Sequence, residues 1–155
     1  MILTENARLR LRTMCRDDLE ELYALLSDAE VMRWLEPPFT REQAERFLQQ
    51  AGLSEPPLVY AAESSEGEFL GYAIYHGYDE RSCELGWVLK PAFWHKGYAD
   101  EMTDLLTALA RQGGKDAVIE CAPEQTASAQ IARRHCFSYE GRAGGCDVYR
   151  LRCKE

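Results

Sequence analysis

The residues of this chain best suited to chemistry lie between Glu84 and Leu106, in what reads as a strand, a short loop and a helix. Cys83 to Leu89 has the character of a strand. Pro91 blocks its continuation, having no N–H and a fixed φ, and from Tyr98 the apolar residues Met102, Leu105, Leu106 and Leu109 recur at helical spacing. Gly97 therefore stands at the mouth of the helix. The first N–H groups of a helix lack internal partners and lie at the positive end of its dipole, and a residue without Cβ lets an anion's oxygen come close. The pattern predicts a phosphate site. Two carboxylates, Glu84 and Glu120, fall on separate predicted strands, Glu84 just upstream of this loop, and are of a type that accepts protons.

The elements that must position these groups can be taken in order. Residues 2 to 13 alternate apolar and polar in places (Leu9 and Leu11 against Arg8, Arg10 and Arg12), as a half-buried first strand does. A helix is expected from Arg16 to about Ser27–Ala29, with Leu19, Leu22, Tyr23 and Leu26 as its apolar stripe. The segment Val31 to Phe39 contains two prolines and cannot be a continuous helix. Thr40 and Gln43 form a capping box for a short second helix that Gly52 stops. Leu58 to Glu63 and Glu68 to His76 flank a polar turn and read as a hairpin, and a further turn at Gly77 to Arg81 leads to the Glu84 strand. After the central helix, Gly113-Gly114 is a stop, Asp116 to Cys121 a buried strand ended by Pro123, and Thr126 to Cys136 a last helix. Two strands around Gly144-Gly145 close the chain.

At 155 residues the chain fits one domain, 1–155, large enough for a real core; 46% hydrophobic and 28% charged residues place it among globular proteins. The first residues lack a signal-peptide core and no apolar run is long enough to span a bilayer, so a cytoplasmic protein without membrane contact is expected. None of the six cysteines forms a Cys-x-x-Cys pair, and no constellation surrounds His95 or His135; reduced thiols and no metal are expected. A net charge of −8 argues against a nucleic-acid partner. Residues 17 to 30 carry six acids and no Lys or Arg, which reads as a solvated helix face or, more sharply, as a field drawing a cationic amine.

The run Trp94-His95-Lys96-Gly97-Tyr98-Ala99, with Glu84-Leu85-Gly86-Trp87 upstream, resembles the acetyl-coenzyme A signature of the GNAT N-acetyltransferases. The likeness is greatest to the branch that acetylates ribosomal-protein N-termini, the RimJ/RimL type. It covers nearly the whole chain, and the element order β, α, α, β, β, β, α, β, α, β, β matches. The resemblance implies an α/β fold, a splayed mixed sheet of about seven strands with about four helices. It also implies a diphosphate cradle at His95, Lys96, Gly97, Tyr98 and Ala99, with Trp87, Val88 and Leu89 offered to the pantetheine arm of acetyl-CoA. The segment Pro123 to Ser128, then Cys136 to Gly141, resembles the family's second motif, with Gln125 in place of Asn and His135-Cys136 in place of Leu-Gly. Gln125 would bond the pantetheine amide. If the family's glycine has positive φ, Cys136 carries strain of about 1 kcal/mol or more.

The reaction implied by the resemblance is acetyl transfer to a primary amine, a peptide N-terminus or a small molecule, by an enzyme that is a monomer or homodimer. Amine attack needs a proton acceptor. Glu84 matches the glutamate of the branch's Glu-Leu/Ile-Gly-Tyr/Trp motif and is preferred, with Glu120 as the second candidate. A backbone N–H near Val88 or Leu89 would stabilise the oxyanion. The family's tyrosine acid falls at Ala132, so that role is empty or belongs to Ser128, which matches the serine near the coenzyme sulfur. Lys96, Arg133 and Arg134 are candidates for phosphate contacts. The other reading is a coenzyme A-binding sensor or interaction module that has lost catalysis, motivated by Gln125, Ala132 and Cys136.

Overall fold

The computed structural model describes residues 1–153. Its strands are β1 (Ile2–Glu5), β2 (Leu9–Arg12), β3 (Val59–Ser64), β4 (Phe69–Asp79), β5 (Ser82–Leu89), β6 (Asp116–Cys121), β7 (Ser138–Ala143) and β8 (Cys146–Leu151). The helices are α1 (Leu19–Leu26), α2 (Arg41–Phe47), α3 (Tyr98–Gln112) and α4 (Thr126–Arg134). One mixed sheet runs β1-β2-β3-β4-β5-β6-β8-β7, antiparallel throughout except for the parallel pair β5·β6.

The expected single strand over residues 2 to 13 is two strands, which raises the count from about seven to eight. Asn6 is the cause: its Oδ1 accepts the N–H groups of Arg8 and Leu9 at 2.8 and 2.9 Å, and this side-chain turn folds β1 back on β2. The first helix opens with a 3₁₀ turn at Arg16–Asp18, and the second ends in a π-helical turn at Leu48–Gly52. The Thr40–Gln43 capping box is formed in both directions. The last helix stops at Arg134, two residues early, because Cys136 turns left-handed with φ 69°.

Each face of the sheet carries its own core. Leu85 and Leu89 of β5 pack with Met102 and Leu106 of α3 on one face. Leu22, Leu25 and Leu26 of α1 pack with Val59 and Val88 on the other. The two layers are held in register near the chain start by Arg12. Its guanidinium bonds both oxygens of Asp18 at 2.9 Å and Glu63 at 2.9 Å, and Asp18 also accepts Cys15 N–H at 2.8 Å. Burial alone would raise the Asp18 carboxyl; the guanidinium and that N–H outweigh it and hold the carboxyl below its usual value. A depressed carboxyl stabilises the fold at neutral pH and loses that contribution as pH falls through its lowered value. Arg12→Ala leaves Asp18, 7% exposed, without its cation, while Glu63 keeps Arg10 at 3.7 Å, and should lower stability by about 3 kcal/mol, measured as a shift of the urea midpoint at pH 7.

The acidic run of residues 17 to 30 is largely consumed in this packing. Besides Asp18, Glu20 pairs with Arg41, Glu21 with Lys90 at the end of β5, and Asp28 accepts the N–H groups of Glu30 and Val31. Four of its six acids thus have partners within the chain.

Candidate active site

The ladder between β5 and β6 is short. Ser82, Cys83 and Glu84 pair with Asp116, Ala117 and Val118, and then the strands part: β5 stays with β4 as far as Leu89, while β6 pairs with β8. Lys90 N–H donates to Leu70 of the β4 edge, so by strand alternation Val88 N–H also turns to β4. The N–H groups of Trp87 and Leu89 then turn toward the opening. Of the two donors named from sequence, Leu89 faces the gap and Val88 does not.

A groove of about 540 Å³ leads from this opening to the mouth of α3. Trp87, Val88 and Leu89 form one wall, and His95, Gly97, Tyr98 and Ala99 form its end. Gln125 and Ser128 of the α4 N-terminus form the facing wall, and Trp34 and Leu35, 40% and 44% exposed, lie over it. Lys96 is exposed and turned away from the groove. Among the described residues, the backbone N–H groups from His95 through Asp100 donate to no protein acceptor. The loop holds this shape because His95 and Gly97 have φ of 60° and 86°, and the Trp94 indole donates to the Leu89 carbonyl at 2.9 Å. A Cβ built on Gly97 meets only Glu101 Oε2, at 3.9 Å, so the glycine is required by its positive φ and by what must approach it.

Consecutive unpaired N–H groups at a helix N-terminus fit a diphosphate. The first turn also holds Asp100 and Glu101, which taken alone would repel one. Both have cationic partners: Asp100 has Arg134 at 3.0 Å, with His135 Nε2 also 2.9 Å away, and Glu101 has Arg8 at 3.0 Å. Burial raises and these partners lower the Asp100 carboxyl, which ends below its usual value. Arg134 lines the groove. Arg133 instead lies over the Tyr149 ring, donates to its hydroxyl at 3.5 Å and is not among the residues lining the groove.

The second motif is partly rebuilt. Gln125 uses its Oε1 to accept Ala122 N–H at 2.7 Å, leaving its NH₂ end for the groove. Ser128 is half-buried in the first turn of α4 and, among the described residues, its hydroxyl has no protein partner. Ala132 is fully buried in the core and carries no hydroxyl. Cys136 has the positive φ expected for a glycine and is exposed, so little packing would be lost on truncation. Cys136→Gly should therefore raise stability, by about 0.5–1 kcal/mol in chemical denaturation.

Glu84 and Glu120 are not walls of the groove. Leu85, Trp87 and Leu89 face α3, so Glu84 is on the opposite face with Val88, at the last paired position before the strands part. Glu120, two residues beyond Val118, shares that face. Burial pushes the Glu84 carboxyl above its usual value; nearby His76 opposes this and Glu120 adds to it. His76, directly across the β4·β5 ladder, has Nε2 3.8 Å from Glu84 Oε1, and its Nδ1 donates to Gly77 O at 2.9 Å. Glu120 accepts the Tyr78 hydroxyl at 2.6 Å, a bond that pushes Tyr78 up to about 12. His76 and Tyr78 were missed from sequence. The turn expected at Gly77–Arg81 would have set His76 opposite Ser82; β4 instead runs on to Asp79, and a register shift between Gly77 and Asp79 brings His76 opposite Glu84.

Comparison with known proteins agrees with this geometry. The acetyltransferase (GNAT) domain family matches residues 8–138. The uncharacterized N-acetyltransferase YnaD of Bacillus subtilis is 27% identical over 141 residues, 86% of this chain and 81% of that protein. Among solved structures, the Salmonella typhimurium acetyl transferase that modifies the N-terminal serine of ribosomal protein L7/L12 superposes with a TM-score of 0.82 at 20% identity, covering 99% and 100% of the two chains. The spermidine N-acetyltransferase of Vibrio cholerae, in complex with CoA and spermine, gives 0.74 at 20% identity over 94% of each. With a matched domain spanning most of its length and a splayed sheet opening on a helix mouth, this chain belongs to the GNAT acetyltransferase family and is an acyltransferase.

Proposed function

We propose that this protein, one domain over its whole length, transfers acetyl from acetyl-CoA to a primary amine by direct attack, with Glu84 accepting the amine's proton. Bound acetyl-CoA supplies an activated thioester. The protein's part is to hold the diphosphate on the N–H groups of His95 to Asp100 and the pantetheine arm along Trp87 to Leu89. Leu89 N–H faces the gap as donor to the thioester oxygen. The Ser128 hydroxyl is free to protonate the departing sulfur. Glu84 is preferred to Glu120 because Glu120 already receives the Tyr78 hydroxyl, while Glu84 has a raised affinity for protons and His76 beside it.

The acceptor is a cationic amine in water, since α-amino groups titrate near about 7.7–8.0 and lysine near about 10.4. A protein N-terminus and a polyamine both qualify, and the Salmonella and Vibrio neighbours represent each. The observation that carries the proposal is the row of unpaired N–H groups at the end of a groove walled by the part of β5 that has left β6. Mass spectrometry of products formed from acetyl-CoA with ribosomal-protein N-terminal peptides, polyamines and amino acids tests it. Saturable coenzyme binding with no acetylated product across that panel would favour the second reading, a binding module without catalysis, which the buried Ala132 at the family's acid position supports.

A further inference from the structure

The turn that splits the first strand reaches across to the phosphate loop. Asn6, whose Oδ1 forms the turn, donates from Nδ2 to Glu101 Oε1 at 3.0 Å. Arg8, two residues on, makes three contacts with the same region. Its Nε lies 3.0 Å from Glu101 Oε2, its Nη2 donates to the Lys96 carbonyl at 2.8 Å, and its Cζ sits 4.2 Å above the Tyr98 ring. One half-exposed side chain thus touches the loop, the first residue of α3 and a carboxylate of its first turn.

The Lys96 contact has a geometric consequence. The peptide between Lys96 and Gly97 is planar and trans, so its C=O and N–H point in opposite directions. Fixing the carbonyl outward on Arg8 fixes Gly97 N–H inward, toward the groove that Gly97 lines. The Glu101 contact has an electrostatic one. Glu101 Oε2 lies within 3.9 Å of where a Gly97 Cβ would be, so an unpaired charge there would repel a diphosphate on the same N–H groups. Exposed ion pairs add little to stability, which leaves loop geometry and charge as what this arrangement controls.

We infer that Asn6 and Arg8 form a strut from the β1–β2 turn to the phosphate loop, and that Arg8 is a positioning residue for the diphosphate of the coenzyme. The inference rests on the acetyl-CoA reading. Arg8 acts through the Lys96 carbonyl and Glu101 and is not itself among the residues lining the groove.

Calorimetric titration with CoA tests it on the wild type and on Arg8→Gln, Arg8→Gln/Glu101→Gln and Arg10→Gln. Arg10 sits on β2, pairs with Glu5 and Glu63, and gives the same change in net charge away from the loop. Arg8→Gln should weaken CoA binding about tenfold, and the double variant should recover part of that loss. Arg10→Gln should bind as the wild type does. In turnover, the Arg8→Gln defect should fall on the KM for acetyl-CoA rather than on kcat or the KM for the amine. Wild-type affinity in Arg8→Gln, or an equal loss in Arg10→Gln, overturns the strut and leaves the acetyl-CoA reading standing. A wild type that does not bind CoA removes the reading beneath it.

Discussion

Gly97→Glu should weaken CoA binding by at least about a hundredfold while leaving the fold cooperative. Three effects act together. A glutamate at φ 86° adopts a conformation unfavourable to L side chains, costing about 1–2 kcal/mol locally. The space around the position is open, so the side chain is not expelled by packing; it lies in the region the diphosphate needs. Its carboxylate also accepts bonds from the N–H groups of the loop and brings a second negative charge beside Glu101. Gly97→Ala separates these effects, since it carries the backbone strain without the bulk or the charge and should lose much less affinity. Calorimetry with CoA, beside thermal unfolding of both variants, reads the comparison. Equal affinity in Gly97→Glu and wild type would mean that the mouth of α3 is not where the phosphates go.

The loop at the mouth of α3 was legible because it rests on local rules: a proline that ends a strand, a glycine before a helical repeat, and helix N–H groups that have no partner whatever the tertiary structure. The same holds for the Thr40 capping box and the two-glycine turn between β7 and β8. Residues 2 to 13 misled because their alternation continues across Asn6, and period alone cannot show that one side-chain oxygen captures two backbone N–H groups. Likewise, nothing local indicated that Arg133 would bind Tyr149 while Arg134 faced the groove, since the two are adjacent and alike in charge. Cys136 shows the converse. The substituted residue keeps the left-handed backbone, so the local rule is broken and the tertiary structure holds the turn in place.

The partners of the acid run were equally illegible. Each of Asp18, Glu20 and Glu21 finds its cation on a distant segment: Arg12, Arg41 and Lys90. Glu84 and Glu120 share a sheet face on strands where no charge run is visible. A scattered pair of carboxylates on one sheet face is a feature of register, and register is set by turns far from either residue.

Glu84→Gln should lower the rate of acetyl transfer about a hundredfold, with CoA affinity and fold retained. The amide keeps the shape of the side chain and its position at the end of the β5·β6 ladder, and it cannot accept a proton from the amine. The pH profile gives a second readout. Because burial places the Glu84 carboxyl above its usual value, wild-type activity should rise with pH through that raised value, in addition to the limb set by the amine; the variant should lose the carboxyl limb alone. Stability moves the other way. A carboxyl whose folded pKa exceeds its unfolded one binds protons more tightly in the folded state, so its ionisation destabilises the fold as pH rises from the unfolded value through the folded value. Above the raised value that penalty is present in the wild type, and it is absent in Glu84→Gln. The variant should thus melt no lower than the wild type at pH 7, and its advantage should vanish below pH values of about 4, where both states of the wild type are protonated. A slow enzyme with an unchanged or higher melting temperature marks Glu84 as a group held at some expense of stability for its chemistry. Unaltered turnover in Glu84→Gln would transfer the base to Glu120 or to water, and Glu120→Gln, which also releases Tyr78, would then show the larger loss.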